Sequence, residues 1–303
     1  MTSVRVENLS KDYTLRGGLK RRTLRAVDRV SFELSPGKTV ALVGESGSGK
    51  STIAKLLTRM EKPSSGSIEV LDGQQRQVAD AHYRRHLQMV FQDPFASLNP
   101  FHSIEHHLAR PLRIHQRTAG KGQTYQRVLQ MLERVNLEPA GQIAAKRPHE
   151  LSGGQRQRVA IARALAPGAQ VLIADEPVSM LDVSIRLGVL NLLARLQRED
   201  QLAVLYITHD LATARHFSDE ILVLYKGRIV ERGPSDEVIL NPQHDYTRLL
   251  AQAAPDPERV GQVLNTGLGV DRARIDNTNC FNHFTGGWEQ LDRTETQLPA
   301  AHR

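Results

Sequence analysis

The octapeptide Gly44-Glu45-Ser46-Gly47-Ser48-Gly49-Lys50-Ser51 fits the pattern G-x-x-x-x-G-K-[ST], and its flanks decide the fold. Before it, Thr39 to Val43 is a short apolar run of the kind that forms a buried strand. After it, Ile53, Leu56, Leu57 and Met60 recur at helical spacing. Glycines between a strand and a helix let successive backbone N–H groups curl inward toward phosphate oxygens, and the helix adds the positive end of its dipole. In such a loop Lys50 reaches the β- and γ-phosphates, and the Ser51 hydroxyl is a ligand for Mg²⁺. Gly44 to Ser51, with Thr52, therefore form the candidate nucleotide-binding set. The pattern is expected by chance in roughly one chain in a hundred of this length, and its strand–helix context makes it rarer. Alone, it does not separate a kinase from a GTPase, a helicase or a transporter motor.

The rest of the chain reads as α/β. Val4 to Leu9 and Val27 to Leu34 alternate apolar and polar residues, and Pro36-Gly37 marks a turn. Ser67 to Leu71 is another strand. Residues 93–166 read as mostly helical, with Val128, Leu132 and Val135 on one face. Buried strands return at Val171 to Ala174 and Leu202 to Thr208, and Ile221 to Glu231 reads as a hairpin turning at Lys226-Gly227. Apolar strands separated by helices imply a parallel sheet covered on both faces, with antiparallel strands near the N-terminus and a helical insertion in the middle. The expected division is one domain carrying the phosphate loop over 1–255 and an irregular or partly disordered tail over 256–303.

Composition narrows the class. The 303 residues are 40% hydrophobic and 24% charged, as in an ordinary globular protein. No stretch approaches the roughly 18 consecutive apolar residues of a spanning helix, so the chain is not expected to be a channel itself. No secretory leader is expected. A single cysteine, Cys280, excludes an internal disulfide framework and a multi-cysteine metal or iron–sulfur site, and it fits a reducing cytoplasm. The net charge is +7, and the tail from Gly261 onward, with four Arg and five acidic residues, contributes none of the excess. Arg16, Lys20, Arg21, Arg22 and Arg25 form one basic cluster. Such a surface suits phosphates, nucleic acid, anionic lipid or nothing beyond water.

A second motif gives the loop a chemistry. Val171-Leu172-Ile173-Ala174-Asp175-Glu176-Pro177 is an apolar strand ending in two acids. Ligands of open parallel sheets sit at such strand ends. Asp175 suits the hydrated Mg²⁺, and Glu176 suits a general base that polarises the attacking water. Two successive carboxylates suggest hydrolysis rather than transfer to an acceptor. The absence of an Asn-Lys-x-Asp run favours ATP over GTP.

Leu151-Ser152-Gly153-Gly154-Gln155 opens an arginine-rich helix about 100 residues after the phosphate loop. It reads either as a second anion site at a helix start or as a serine N-cap with adjoining glycines. With these residues in hand, the chain resembles the ATP-binding cassette (ABC) family from Val4 to Gln252. The resemblance implies a P-loop NTPase core with a parallel sheet, an N-terminal antiparallel β subdomain and an inserted helical signature subdomain over about 93–166. It implies that Gln92 is the Q-loop glutamine, close to Mg²⁺ and the attacking water, and that Leu151 to Gln155 is the signature motif. It also implies that Ser179-Met180-Leu181-Asp182 is the D-loop, with Met180 where alanine is usual, and that His209 is the switch histidine. Tyr13 stands where an aromatic would stack on adenine.

The family resemblance carries partners too: a homodimer, or a heterodimer with a sister ATPase subunit, closing head to tail on two ATPs. Lys50, Ser51 and Glu176 of one cassette would face Ser152 and Gly154 of the other, with Asp182 nearby. Phe91 to Pro100, Asp182 to Ile185, Gly227 to Glu231 and Asn241 to Leu250 are similar to dipeptide, oligopeptide and nickel importer ATPases, with Asp245 where proline is usual. That implies two transmembrane permeases, an extracytoplasmic solute-binding protein acting indirectly, no nucleic acid, and a peripheral place on the cytoplasmic face of the membrane. The alternatives are a soluble ATPase of nucleic-acid or ribosome function, and an accessory ATPase of an exporter or phosphonate pathway.

Overall fold

The structure is a computed structural model, and it describes residues 1–17, 20–116, 120–253, 280–282 and 287–289. Two compact units result, Met1–Pro255 and Asp256–Arg303. In the first, strands β1 (Ser3–Gly17) and β2 (Lys20–Leu34) precede β3 (Thr39–Val43), which runs through the phosphate loop into helix α1 (Lys50–Leu57). Next come β4 (Ser65–Leu71), α2 (Asp80–His86) and β5 (Leu87–Val90). Five helices follow: α3 (Pro94–Ser97), α4 (Ile104–Gln116), α5 (Lys121–Arg134), α6 (Ala140–Ala145) and α7 (Gly153–Leu165). The chain then re-enters the sheet with β6 (Val171–Asp175), α8 (Val183–Asp200), β7 (Ala203–Thr208) and α9 (Leu211–Phe217). It closes with β8 (Glu220–Tyr225), β9 (Arg228–Pro234), α10 (Ser235–Leu240) and α11 (Asp245–Ala253).

Two sheets result. The larger has the order β5-β6-β7-β3-β8-β9, parallel except for the antiparallel β9 edge; the smaller is the antiparallel β2-β1-β4. Alternation of side chains along each central strand explains how they meet. Val40, Leu42, Val171, Ile173, Leu205 and Ile207 enter one apolar cluster with α1 and the small sheet. Ala41, Val43, Leu172, Ala174, Val204 and Tyr206 enter the other, with α4 to α8. A strand buried on both faces has no room for polar residues, which is why β3, β6 and β7 are apolar until they reach their ends. Val128 and Leu132 of α5, and Val135 just after it, lie in the second cluster on the shared face that their spacing gives.

Three details differ from the sequence reading. Helix α1 ends at Leu57, so Met60 lies beyond it and is exposed rather than packed. The strands β1 and β2 run for 15 residues each, because their register shifts near Leu9 and Lys11 absorb the break in alternation. The strand β5, too short to show a period, supplies the far edge of the large sheet. Of the basic cluster, the side chains of residues 15–22 lie outside the described residues, whereas Arg25 pairs with Asp12 at 2.8 Å and Asp28 at 3.4 Å. The expectation for 256–303 also falls outside them, save for β10 (Cys280–Asn282) and β11 (Gly287–Glu289), an antiparallel pair that sets Phe281 opposite Trp288.

Candidate active site

The strand order carries the site. Side by side, β5, β6, β7 and β3 deliver their C-terminal ends to one edge. Gln92 follows β5, Asp175 ends β6, His209 follows β7, and the phosphate loop follows β3. Gln92 and Glu176, 84 positions apart in sequence, thus converge by topology alone.

The loop is seated by close backbone approach. A Cβ on Gly44 would lie 2.3 Å from the Leu224 carbonyl oxygen, and one on Gly49, whose φ is +112°, would lie 2.5 Å from that of Ala26. Only glycine fits either place. The Gly227 N–H donates to the Ser48 carbonyl at 2.9 Å and fixes the loop against the β8–β9 turn. Lys50 is 5% exposed, and its ammonium donates to the carbonyls of Gly44 at 2.6 Å and Glu45 at 2.8 Å. Burial pushes this amine below the ordinary lysine value, opposed by the carboxylates of Glu176, Asp175 and Glu45. A buried cation held mainly by carbonyls and distant carboxylates is poised for a stronger anionic partner.

The carboxylates divide into two environments. Asp175 is 6% exposed, and its Oδ1 has no hydrogen-bond partner. Burial raises its proton affinity and Glu176 raises it further, whereas a hydrogen bond from Ser51 and the charge of Lys50 pull it down. An orphaned carboxylate oxygen beside a serine hydroxyl is a hard oxygen set, which fits a divalent cation of the Mg²⁺ type. Ser51, Gln92 and Asp175 also line one cavity of about 1130 Å³.

Glu176 is held differently. Its φ of +45° places it in the left-handed region, a conformation that costs a residue other than glycine about 1–3 kcal/mol. Its N–H donates to the Ile207 carbonyl at 2.9 Å, and its own carbonyl accepts from the Ser179 hydroxyl at 3.0 Å. The carboxylate is gripped from two strands: Gln92 Nε2 donates to Oε2 at 3.1 Å, and His209 Nδ1 lies 3.3 Å from Oε1. The three residues expected to be catalytic therefore meet at one carboxylate, Gln92 through a hydrogen bond and His209 through a close contact, with His209 mostly exposed at the outer edge.

Other candidates stand apart from this group. Ser152 caps α7: its Oγ accepts from the Gln155 N–H at 3.2 Å, while the Gln155 side chain accepts from the Ser152 N–H at 3.0 Å. Gly153 and Gly154 pack on Leu181 and Ile185, and a Cβ on Gly154 would come within 2.6 Å of Ile185 Cγ2. Asp182 starts α8 with no side-chain capping bond. Among the described residues no hydrogen bond or ion pair joins Ser152–Gln155 to the phosphate loop. Tyr13, half-buried on β1, donates to Glu61 Oε2 at 2.5 Å. The Lys11 ammonium lies 5.0 Å from its ring centre. Sequence reasoning assigned no role to Tyr246, whose hydroxyl accepts from the Glu45 N–H at 2.9 Å.

The family model described as ABC transporter matches residues 27–179, a span that holds the phosphate loop, Gln92, the serine–glycine turn and both carboxylates. The chain belongs to the ABC transporter family. It is similar to the di/tripeptide transport ATP-binding protein DppF of Pseudomonas aeruginosa, 46% identical over 260 residues covering 84% of this chain and 79% of that protein. It is 48% identical over 262 residues to the glutathione import ATP-binding protein GsiA of Escherichia coli K12, covering 84% of this chain but 41% of that protein. The chain thus spans about two fifths of the length of its GsiA relatives. Among solved structures, the ATP-binding cassette MJ0796 in a dimeric post-hydrolysis state with ADP and Pi matches at TM-score 0.65 and 32% identity, covering 77% of this chain and 98% of that one. The protein cbiO1 of Clostridium perfringens, part of the ABC transporter complex cbiONQ, matches at TM-score 0.66 and 27% identity, covering 78% and 90%. The ABC cassette fold and its ATP-binding class follow from these likenesses and from the mixed sheet with its antiparallel β subdomain. Among the described residues no helix is long and apolar enough to cross a membrane.

Proposed function

We propose that this chain is the ATP-hydrolysing subunit of an importer for peptides or related small solutes, paired with a second cassette beneath two membrane permeases. The convergence of Gln92 and His209 on Glu176, beside a buried Asp175 and Lys50, carries this reading. The relatives' names support import: DppF is named for di/tripeptide transport and GsiA for glutathione import. They do not favour the nucleic-acid or exporter alternatives.

The chemistry follows from the contacts. Lys50 and the loop of residues 44–52 bind the triphosphate, with the Glu45 N–H held instead by the Tyr246 hydroxyl. Asp175, Ser51 and the Gln92 amide oxygen would hold Mg²⁺, which neutralises charge on the β- and γ-phosphate oxygens. Glu176 accepts the proton of the attacking water as general base. Gln92 and His209 fix its carboxylate against rotation, and His209, at the exposed edge, meets the γ-phosphate. A facing copy, or a sister cassette, presents Ser152, Gly153 and Gly154 at the start of α7, whose dipole favours the anion. ATP then bridges two cassettes, and hydrolysis releases one of them. Tyr13 and Asp182 border this site as base-stacking and interface residues. A short cytoplasmic helix of a permease docks beside Gln92, so that closure moves the membrane domain, and the cassette sits peripherally on the cytoplasmic face.

Purifying the chain with permeases and a binding protein of the same complex, and measuring ATPase activity with candidate solutes, tests the reading. Stimulation by di- and tripeptides or glutathione is expected. Turnover that no solute changes, with the binding protein loaded, would contradict an importer.

A further inference from the structure

The phosphate loop has an anchor outside the motifs assigned to nucleotide binding. The chain returns to it after β9, in α11. Glu231 of β9 accepts from the N–H groups of Gln243 at 2.7 Å and His244 at 3.0 Å, and so fixes the start of α11. His244 Nδ1 accepts from the Tyr246 N–H at 3.1 Å. The Tyr246 ring, 8% exposed, packs on Tyr225 at the end of β8 with ring centres 4.2 Å apart. Its hydroxyl then reaches the Glu45 N–H at 2.9 Å.

That N–H and the Gly44 carbonyl belong to one peptide unit. The unit is planar, with its N–H and C=O pointing in opposite directions, so fixing one end aims the other. The Gly44 carbonyl accepts the Lys50 ammonium at 2.6 Å. A single rigid plane is thus held by Tyr246 on one side and by Lys50 on the other. Gly44 has no Cβ to restrain it, so the plane's orientation depends on these bonds and on the close approach to Leu224.

From this geometry we infer that Tyr246 is a positioning residue for Lys50, acting through the Gly44–Glu45 peptide, and that α11 is thereby part of the triphosphate site. The inference rests on Lys50 binding the triphosphate. Its consequence is that a perturbation of α11 reaches ATP affinity without touching any residue of the phosphate loop.

The test is ATP affinity, by calorimetry on the full chain, for Tyr246→Phe, Lys50→Met and the double variant. Phenylalanine keeps the stack on Tyr225 and removes only the acceptor. We expect the Kd of Tyr246→Phe to rise about threefold to tenfold, the scale of one lost hydrogen bond. Lys50→Met weakens binding more, and adding Tyr246→Phe to it costs nothing further, because the two act on one plane. An unchanged Kd for Tyr246→Phe overturns the inference. So does an equal loss in the Lys50→Met background, since that marks a general effect on the fold rather than a route through Lys50. Wild-type affinity in Lys50→Met would instead bring down the phosphate-loop reading, and the inference with it. Thermal unfolding of each variant shows whether a lost affinity is lost folding.

Discussion

The two anion-binding devices of this chain are built on opposite plans. Around the phosphate loop, charged groups are already out of water: Lys50 and Asp175 are 5% and 6% exposed, and one oxygen of Asp175 has no partner. At the start of α7, Ser152, Gly153, Gly154 and Gln155 carry no charge, and Ser152 is exposed with its hydroxyl and N–H satisfied by Gln155. The first holds desolvated charge in waiting, which is costly until a ligand arrives. The second is a self-sufficient helix start that costs nothing to maintain and acts only on an anion brought to it. A site divided in this way can bind nucleotide in one half and react only when the halves meet.

Substitutions can break the contrast in order of size. Glu176→Gln, which keeps the shape but removes the base, should lower turnover at least roughly a hundredfold while ATP binding persists; steady-state rates beside binding isotherms measure it. Lys50→Ala removes the desolvated cation and should weaken ATP affinity about tenfold or more, the scale of hydrogen bonds to charged groups, as read by calorimetry. Ser152→Ala is the matching change in the capped half. It should slow turnover of the paired cassette about tenfold yet leave ATP affinity of the lone chain unchanged. Loss of the cap, about 1 kcal/mol, should also lower Tm by about 2–4 °C. If Ser152→Ala weakened ATP binding by the isolated monomer, the division of labour between the halves would be wrong.

The smallest effect concerns the frame of the loop. Asp28 is buried between Arg228, Arg25 and Arg29 and ties β2 to the β8–β9 turn. The Arg228 hydrogen bond first, then the arginine charges, hold its carboxyl below the usual range against the opposing pull of burial. A lowered folded value means that its stabilisation is present above the unfolded value of about 3.9 and is lost as pH falls through the folded one. The Tm gap between wild type and Asp28→Asn should therefore be constant from neutral pH to about pH 5 and narrow below about pH 4. A gap independent of pH down to acid unfolding would mean that the charge at Asp28 contributes nothing.

The sequence revealed more of this than its local patterns alone suggest. The strands β3, β6 and β7 were legible because burial on both faces leaves an unbroken apolar run that ends at functional residues. Thr39 to Val43 and Val171 to Asp175 are examples. What stayed hidden depends on strand order. Nothing local says that Gln92, after β5, touches Glu176, after β6; adjacency in the sheet does. Met60 misled because helical spacing persists past Leu57, where the helix stops. Tyr246 was invisible because its partner, Glu45, lies 201 positions away, and a tyrosine in an amphipathic helix reads as core.

The central claim is that one triphosphate is gripped by the lysine loop of one cassette and the serine–glycine turn of another. The most direct measurement is the solution mass, by light scattering, of the Glu176→Gln chain with saturating ATP and Mg²⁺, alone and with any sister cassette co-expressed. The account predicts a two-cassette particle that forms with ATP and falls apart when ATP is replaced by ADP. A single-cassette mass at saturating ATP in every combination would contradict it.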